Sequence, residues 1–251
     1  MQVRDGLAAD QVGDEALELH RALPEVPIWA GRDRCAAGRA AIAAGADLLL
    51  LDDGLQHWPL ARDCDISVLA AEHGLGNGWL FPAGPLREPS HQLGRADLLV
   101  LLGADAAAPG SNPGLPPSGG GWPRHKPWFR LASWVSVPEA LRTEPLFAFC
   151  GIGLPGKFFR ALQVAGLQLV GTQAFPDHHP YARAQMEQLQ RRARALGATL
   201  VTTRKDWQRL SLPWREQVVA VPLELDHPTV VALASAALVR VDQARSAGGI
   251  G

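Results

Sequence analysis

The sequence predicts an α/β protein with largely parallel sheets, organised as two domains. Two observations predict it. Short apolar runs alternate with segments of helical period along most of the chain, and a stretch dense in Pro, Gly, Ser and Ala divides that alternation into two series. In the first series, Ala16–Leu23 has helical character, Pro27–Ala30 is a short strand, and the Ala- and Arg-rich segment Arg32–Ala44 is a helix. Asp47–Leu51 follows as a buried strand bounded by Asp52-Asp53-Gly54. Ile66–Ala70 is another strand, a Gly-rich loop runs from Gly74 to Gly84, and Ala96–Leu102 closes the series as a further apolar run. Ala106–Lys126 reads as a linker or long loop, because such a composition buries too little apolar surface to offset its ordering entropy. The second series begins with strand Trp128–Val137. It continues with strand Leu146–Cys150, helix Lys157–Ala165, strand Leu167–Phe175, helix Arg183–Leu196 and strand Thr199–Thr202. Strand Val218–Pro222 and the helix Pro228–Val241 end it. The expected domains are therefore 1–105 and 127–251, joined by 106–126.

Composition narrows the function classes. Of 251 residues, 47% are hydrophobic and 20% charged, an ordinary globular balance for one large or two small domains. Lys and Arg are matched almost one for one by Asp and Glu, for a formal charge of -1, so no basic stripe calls for a nucleic acid. Cys35, Cys64 and Cys150 are odd in number and form no C-x-x-C pair. They read as small buried residues of a reducing compartment, with the cytosol as the expected location. No apolar run reaches the roughly 20 residues that span a bilayer, which leaves peripheral membrane contact open.

Five constellations carry candidate chemistry. An apolar strand ending in Asp52-Asp53 is where a nucleotide-binding sheet holds Mg²⁺, whereas Asp53-Gly54 is also a frequent turn pair. Gln56 and His57, directly after it, crowd further polar groups into the same place. Gly151-Ile152-Gly153-Leu154-Pro155-Gly156-Lys157 satisfies two patterns at once. As G-x-G-x-x-G it is a dinucleotide turn, with Asp177 near the offset of a ribose-binding acid; as a phosphate loop it fails, because Phe158 stands where a Ser or Thr hydroxyl is needed and Pro155 lacks an N–H. A tight strand-to-helix turn is the third reading. In Phe175-Pro176-Asp177-His178-His179-Pro180, one imidazole beside an aspartate suits proton handling, while Asp177 also suits a helix cap. Asp14, in Val12-Gly13-Asp14-Glu15, reads alone as an N-cap. Thr202-Thr203-Arg204-Lys205-Asp206 reads as a strand end that is either site or surface.

The order of these pieces resembles the tetraacyldisaccharide 4'-kinase family. Asp52-Asp53-Gly54-Leu55-Gln56-His57, Leu60-Ala61-Arg62-Asp63, Gly76-Asn77-Gly78 and Pro82-Ala83-Gly84-Pro85-Leu86-Arg87-Glu88-Pro89 are similar to its core signature. Gly13-Asp14-Glu15 and Gly31-Arg32-Asp33-Arg34 precede them, and the 151–153, 175–179 and 202–206 motifs follow. The resemblance implies two α/β sandwich domains, the first like a P-loop kinase. It implies transfer of phosphoryl from ATP, with Mg²⁺, to the 4'-hydroxyl of a tetraacylated glucosamine disaccharide 1-phosphate. The implied place is the cytoplasmic face of a bacterial inner membrane, held peripherally, in lipid A biosynthesis.

By resemblance, Asp14 activates the sugar hydroxyl, His178 assists it, and the site lies between the domains. Asp52, Asp53 and Glu88 belong to the metal site, and Gln56, His57 and Arg87 are substrate or phosphate contacts. Motif position selects His178 over His179, which spacing alone does not separate. The family's Walker-type Gly-Lys-Thr loop and its apolar membrane-facing segment are absent from these residues, so the 251-residue chain is expected to be inactive by itself. Two alternatives stand beside this expectation: a noncatalytic remnant of such a kinase, and an NAD-dependent oxidoreductase built on Gly151, Gly153 and Gly156. The sequence assigns no oligomeric state or acyl-chain preference.

Overall fold

The computed structural model of the chain describes residues 1–7, 9–71, 73–103, 123 and 125–248, with Ala9, Asp10 and Asp14 described by their backbone alone. Most of the expected linker 106–126 lies outside the described residues. The chain forms two compact units, Met1–Asp65 and Ile66–Gly251.

The first unit is a small helical assembly. Helices α1 (Ala9–Val12), α2 (Asp14–Ala22) and α3 (Arg34–Ala43) are joined by irregular backbone. Val3, Val12 and Leu17 form its buried centre, with Leu7, Ala16, Ile28 and Ala30 packed around them. The expected strand at 27–30 is reduced to an antiparallel bridge between Gln2 and Trp29, flanked by the Val3 N–H donating to the Ile28 carbonyl at 2.8 Å. Asp33 caps α3 by accepting the Ala36 N–H at 2.9 Å.

The buried strand expected at Asp47–Leu51 is a correction. The segment has no ladder partner among the described residues, and Leu50 is 88% exposed. A strand needs a neighbour to take its N–H and C=O groups, and in this unit the Gln2–Trp29 bridge is the only described β pairing. Leu49 instead reaches α3, where a methyl at Gly38 would lie 3.4 Å from its Cδ1.

The second unit carries two four-stranded sheets. Strands β1 (Ile66–Ala70), β2 (Leu98–Gly103) and β3 (Trp128–Val135) are parallel neighbours in the order β1-β2-β3, so the sheet continues across the expected linker. The second sheet contains β4 (Leu146–Cys150), then α4 (Pro155–Val164), β5 (Leu169–Ala174), α5 (Arg183–Ala195) and β6 (Thr199–Thr203). The short helices α6 (Arg204–Arg209) and α7 (Leu212–Arg215) lead to β7 (Val219–Val221). Its order is β5-β4-β6-β7, all parallel. After β7 the chain turns through Pro222 into β8 (Leu223–Leu225), which pairs antiparallel with β3, and then into α8 (His227–Gly248). The expected α/β class with mostly parallel sheets is therefore observed. The three-residue β8 has too little pattern to announce itself in sequence.

Strand β4 shows why the second sheet is stable. All five of its residues are buried, as a continuous apolar run flanked by strands on both sides requires. Leu146, Ala148 and Cys150 face α4 through Phe158 and Leu162, while Phe147 and Phe149 face α5 through Met186, Leu189 and Ala193. Phe149 meets Phe175 and Tyr181 edge-on, with centroids 6.5 and 5.3 Å away. Beside it, a methyl at Gly171 would sit 2.5 Å from the Phe147 ring. Gly171→Ala is therefore expected to destabilise the unit by roughly 1–3 kcal/mol, read as a fall in Tm.

Candidate active site

The parallel sheet β5-β4-β6-β7 fixes where a site can form. The chain leaves β4 toward β5 on one side and returns to β6 on the other, so the loops after β4 and β6 diverge at their carboxyl ends. Ligands of open α/β sheets bind in such a crevice. At this edge stand Gly151–Gly153 after β4, Asp177-His178-His179 after β5, and Thr203–Arg209 after β6.

Thr203 Oγ accepts the Asp206 N–H at 3.0 Å, capping α6, and donates to Asp206 Oδ2 at 2.7 Å. The Asp206 side chain is fully buried and is paired with Arg209, Nη1 to Oδ1, at 3.3 Å. Arg209 Nη1 also donates to the Gly151 carbonyl at 3.2 Å, and Nη2 donates to Nδ1 of His178 at 2.9 Å. His178 has φ +59°, a left-handed conformation that costs a β-carbon residue energy and here needs anchoring. Its N–H donates to Asp177 Oδ1 at 2.9 Å and to the Gly151 carbonyl at 3.2 Å. Its side chain is exposed.

The neighbouring histidine is built differently. His179 stacks on Phe175 at 4.6 Å, meets Tyr181 edge-on at 5.2 Å, and its Nε2 lies 3.0 Å from Gln185 Oε1. Gln185 Oε1 also accepts the Ala182 N–H at 3.0 Å, at the start of α5. Asp177 does not cap that helix. His179 thus ties the loop to α5, while His178 faces solvent with a polar partner on Nδ1.

Burial pushes the Tyr181 phenol upward, and the negative charge of Asp206 adds to it. Burial, with a smaller contribution from Asp206, pushes the Cys150 thiol up to about 12. Cys150 is a protonated packing residue, as expected from sequence, whereas Cys35 and Cys64 are only partly buried. Iodoacetamide at pH 8 is expected to leave Cys150 unmodified in the folded chain, which peptide mass mapping reads; its rapid alkylation would contradict this burial.

In the first unit, Asp52 and Asp53 are exposed on a turn, with Asp53 at φ +48°. The Asp53 carbonyl accepts from Arg34 Nη1 at 2.9 Å. Gly54 is obligatory there, because a methyl would lie 2.7 Å from Leu51 Cβ. Gln56 is exposed, and the His57 Nε2 lies 4.0 Å from Cys35 Sγ. Arg62 organises this loop: it donates to the carbonyls of His57 at 2.7 Å, Leu60 at 3.2 Å and Leu55 at 3.5 Å, and forks onto Asp65 at 2.5 and 3.2 Å. Asp14 is the first residue of α2, and Gly13, at φ +88°, holds the cap position expected for Asp14.

In the second unit, Arg87 is exposed. Glu88 Oε2 lies 2.8 Å from Arg95 Nη2, and its Oε1 is buried without a hydrogen-bond partner among the described residues. Among the described residues, no three His, Cys, Asp or Glu side chains gather as a metal site. The sequence motifs included Arg34, in Gly31-Arg32-Asp33-Arg34, but did not reach Arg209. The signal for Arg209 was its spacing of three from Asp206 on one helical face.

The first glycine of the Gly151–Gly156 turn is packed against the chain itself. A methyl on Gly151 would meet the Pro176 carbonyl at 2.9 Å, His179 Cβ at 3.0 Å and the Tyr181 hydroxyl at 3.0 Å. The close approach that glycine permits is thus taken by the chain's own 176–181 segment, and nothing supports the oxidoreductase alternative.

The profile of the family described as tetraacyldisaccharide-1-P 4'-kinase matches residues 1–239. The chain belongs to this family. A tetraacyldisaccharide 4'-kinase of Methylobacterium sp. is 41% identical over 242 residues, covering 92% of this chain and 69% of that protein. One from Jannaschia sp. is 44% identical over 222 residues, covering 87% and 65%. The crystal structure of LpxK from Aquifex aeolicus in complex with ATP is similar with a TM-score of 0.64 and 28% identity, covering 88% of this chain and 66% of that one. The chain thus spans about two thirds of the length of the relatives it matches. The family and its relatives are kinases, enzymes that transfer a phosphoryl group. Among the described residues, no helix is long and apolar enough to cross a membrane.

Proposed function

We propose that this chain contributes the acceptor and metal parts of an ATP-dependent 4'-kinase acting on a tetraacylated glucosamine disaccharide 1-phosphate in lipid A biosynthesis. The observation that carries this reading is the family match over residues 1–239, which spans every residue given a role here. Phosphoryl transfer asks little covalent chemistry of a protein; it needs a positioned hydroxyl, neutralised phosphate charge and a base. Asp14 takes the proton of the sugar hydroxyl, and His178 assists it. Asp52 and Asp53 would hold Mg²⁺, for which two adjacent exposed carboxylates are a suitable hard-oxygen set when phosphate oxygens and water complete the shell. Glu88, of the Arg-Glu pair in the family's core signature, is assigned to the same metal role by resemblance. When bound, the metal supplies charge neutralisation on the transferring phosphoryl group. Gln56, His57 and Arg87 contact substrate or phosphate, with Arg62 setting the backbone of the 55–60 loop.

In this reading residues 1–105 serve nucleotide and substrate, and 127–251 supply the histidine. The acylated substrate places the enzyme at the cytoplasmic face of the inner membrane, peripherally bound. The test is a chimaera in which residues 1–239 replace the corresponding region of the Methylobacterium relative. It is expected to phosphorylate the disaccharide with ATP and Mg²⁺. A folded chimaera that hydrolyses ATP without modifying the lipid would overturn the acceptor role.

A further inference from the structure

We propose that Arg209 is a positioning residue for His178, holding its imidazole in the tautomer that carries the proton on Nε2. The function of that histidine rests on the reading above; the geometry does not. Arg209 Nη2 lies 2.9 Å from His178 Nδ1. A guanidinium has only donors, so Nδ1 must accept, and a neutral ring accepting at Nδ1 carries its hydrogen on Nε2.

The arginine is itself fixed. Its side chain is 15% exposed, and Nη1 is shared between Asp206 Oδ1 and the Gly151 carbonyl. Asp206 is fully buried and held by Thr203 through both its N–H and its carboxylate, so the anchor is a structured group rather than a surface pair. The same Gly151 carbonyl that receives Arg209 receives the His178 N–H. Backbone and ring of His178 are therefore referred to one point at the end of β4. A lysine would keep the charge beside Asp206 but lacks the planar fork that reaches three acceptors at once.

The experiment labels the imidazole nitrogens of the full chain and reads the His178 tautomer by NMR, in wild type, Arg209→Lys and Arg209→Met. Wild type is expected to show Nδ1 as acceptor and Nε2 protonated, with both variants shifting toward a tautomer mixture while Tm reports that they remain folded. A wild-type ring protonated on Nδ1 alone, or a tautomer unchanged in folded variants, overturns the proposal. If Arg209→Met does not fold, the wild-type spectrum and Arg209→Lys decide. In the chimaera, Arg209→Lys is expected to lower kcat roughly 10- to 100-fold with KM for ATP unchanged, and to add little to His178→Ala. A silent His178→Ala there would sink the role proposed for that histidine and leave the tautomer result standing.

Discussion

Asp14→Asn in the chimaera is expected to lower kcat by about 10²- to 10⁴-fold, the range for loss of a positioned general base. His178→Ala is expected to cost less, because the imidazole assists the carboxylate rather than taking the proton in its place. The double substitution is expected to be no worse than Asp14→Asn alone, since residues acting as one unit are not additive. KM for ATP should stay within a fewfold, as neither side chain is assigned to the nucleotide phosphates. Asn is the informative replacement because it keeps the shape at the first position of α2 and removes only the basicity. Steady-state kinetics with varied lipid and varied ATP separates these outcomes. Full additivity would remove the paired mechanism. A damaging His179→Ala beside a silent His178→Ala would reverse the choice of histidine. The packing of His179 against Phe175 and Tyr181 predicts instead that His179→Ala lowers Tm.

The second large effect is expected at the Asp52-Asp53 turn. Asp53→Asn should lower kcat by about 10²-fold or more, with a raised Mg²⁺ requirement, because a metal ion contributes several kcal/mol to phosphoryl charge neutralisation. The fold should survive. Asn tolerates the left-handed backbone that Asp53 adopts at φ +48°, and the carbonyl that accepts from Arg34 is kept in the variant. Asp52→Asn should behave alike. Activity titrated against Mg²⁺, with circular dichroism as the control for folding, checks both. Unchanged Mg²⁺ dependence in the two variants would remove these carboxylates from the metal site.

The central strand of the second sheet was legible because it is buried on both faces. Leu146–Cys150, and Ile66–Ala70 in the first sheet, have the expected bounds, and the helix expected at Arg183–Leu196 runs Arg183–Ala195. Asp47–Leu51 carried the same apolar signal but has no neighbouring strand among the described residues of its unit, so periodicity could not distinguish it from sheet. Strand β8 was missed because three exposed residues hold no pattern.

In the site, the motifs located Asp177-His178-His179 but not which ring faces solvent. That depended on Phe175, Tyr181 and Gln185, whose meeting is tertiary. The glycines of 151–156 matched a ligand-binding pattern because close backbone approach is what they permit. The sequence did not reveal that at Gly151 the approaching group is the chain itself.

The most direct test of the account follows the phosphoryl group. The chimaera is incubated with Mg²⁺, γ-labelled ATP and the tetraacylated disaccharide 1-phosphate, and the lipid product is mapped by mass spectrometry and phosphorus NMR. Label is expected on the 4'-hydroxyl, abolished by Asp14→Asn. Label at another hydroxyl, or undiminished 4'-phosphorylation in Asp14→Asn, would contradict it.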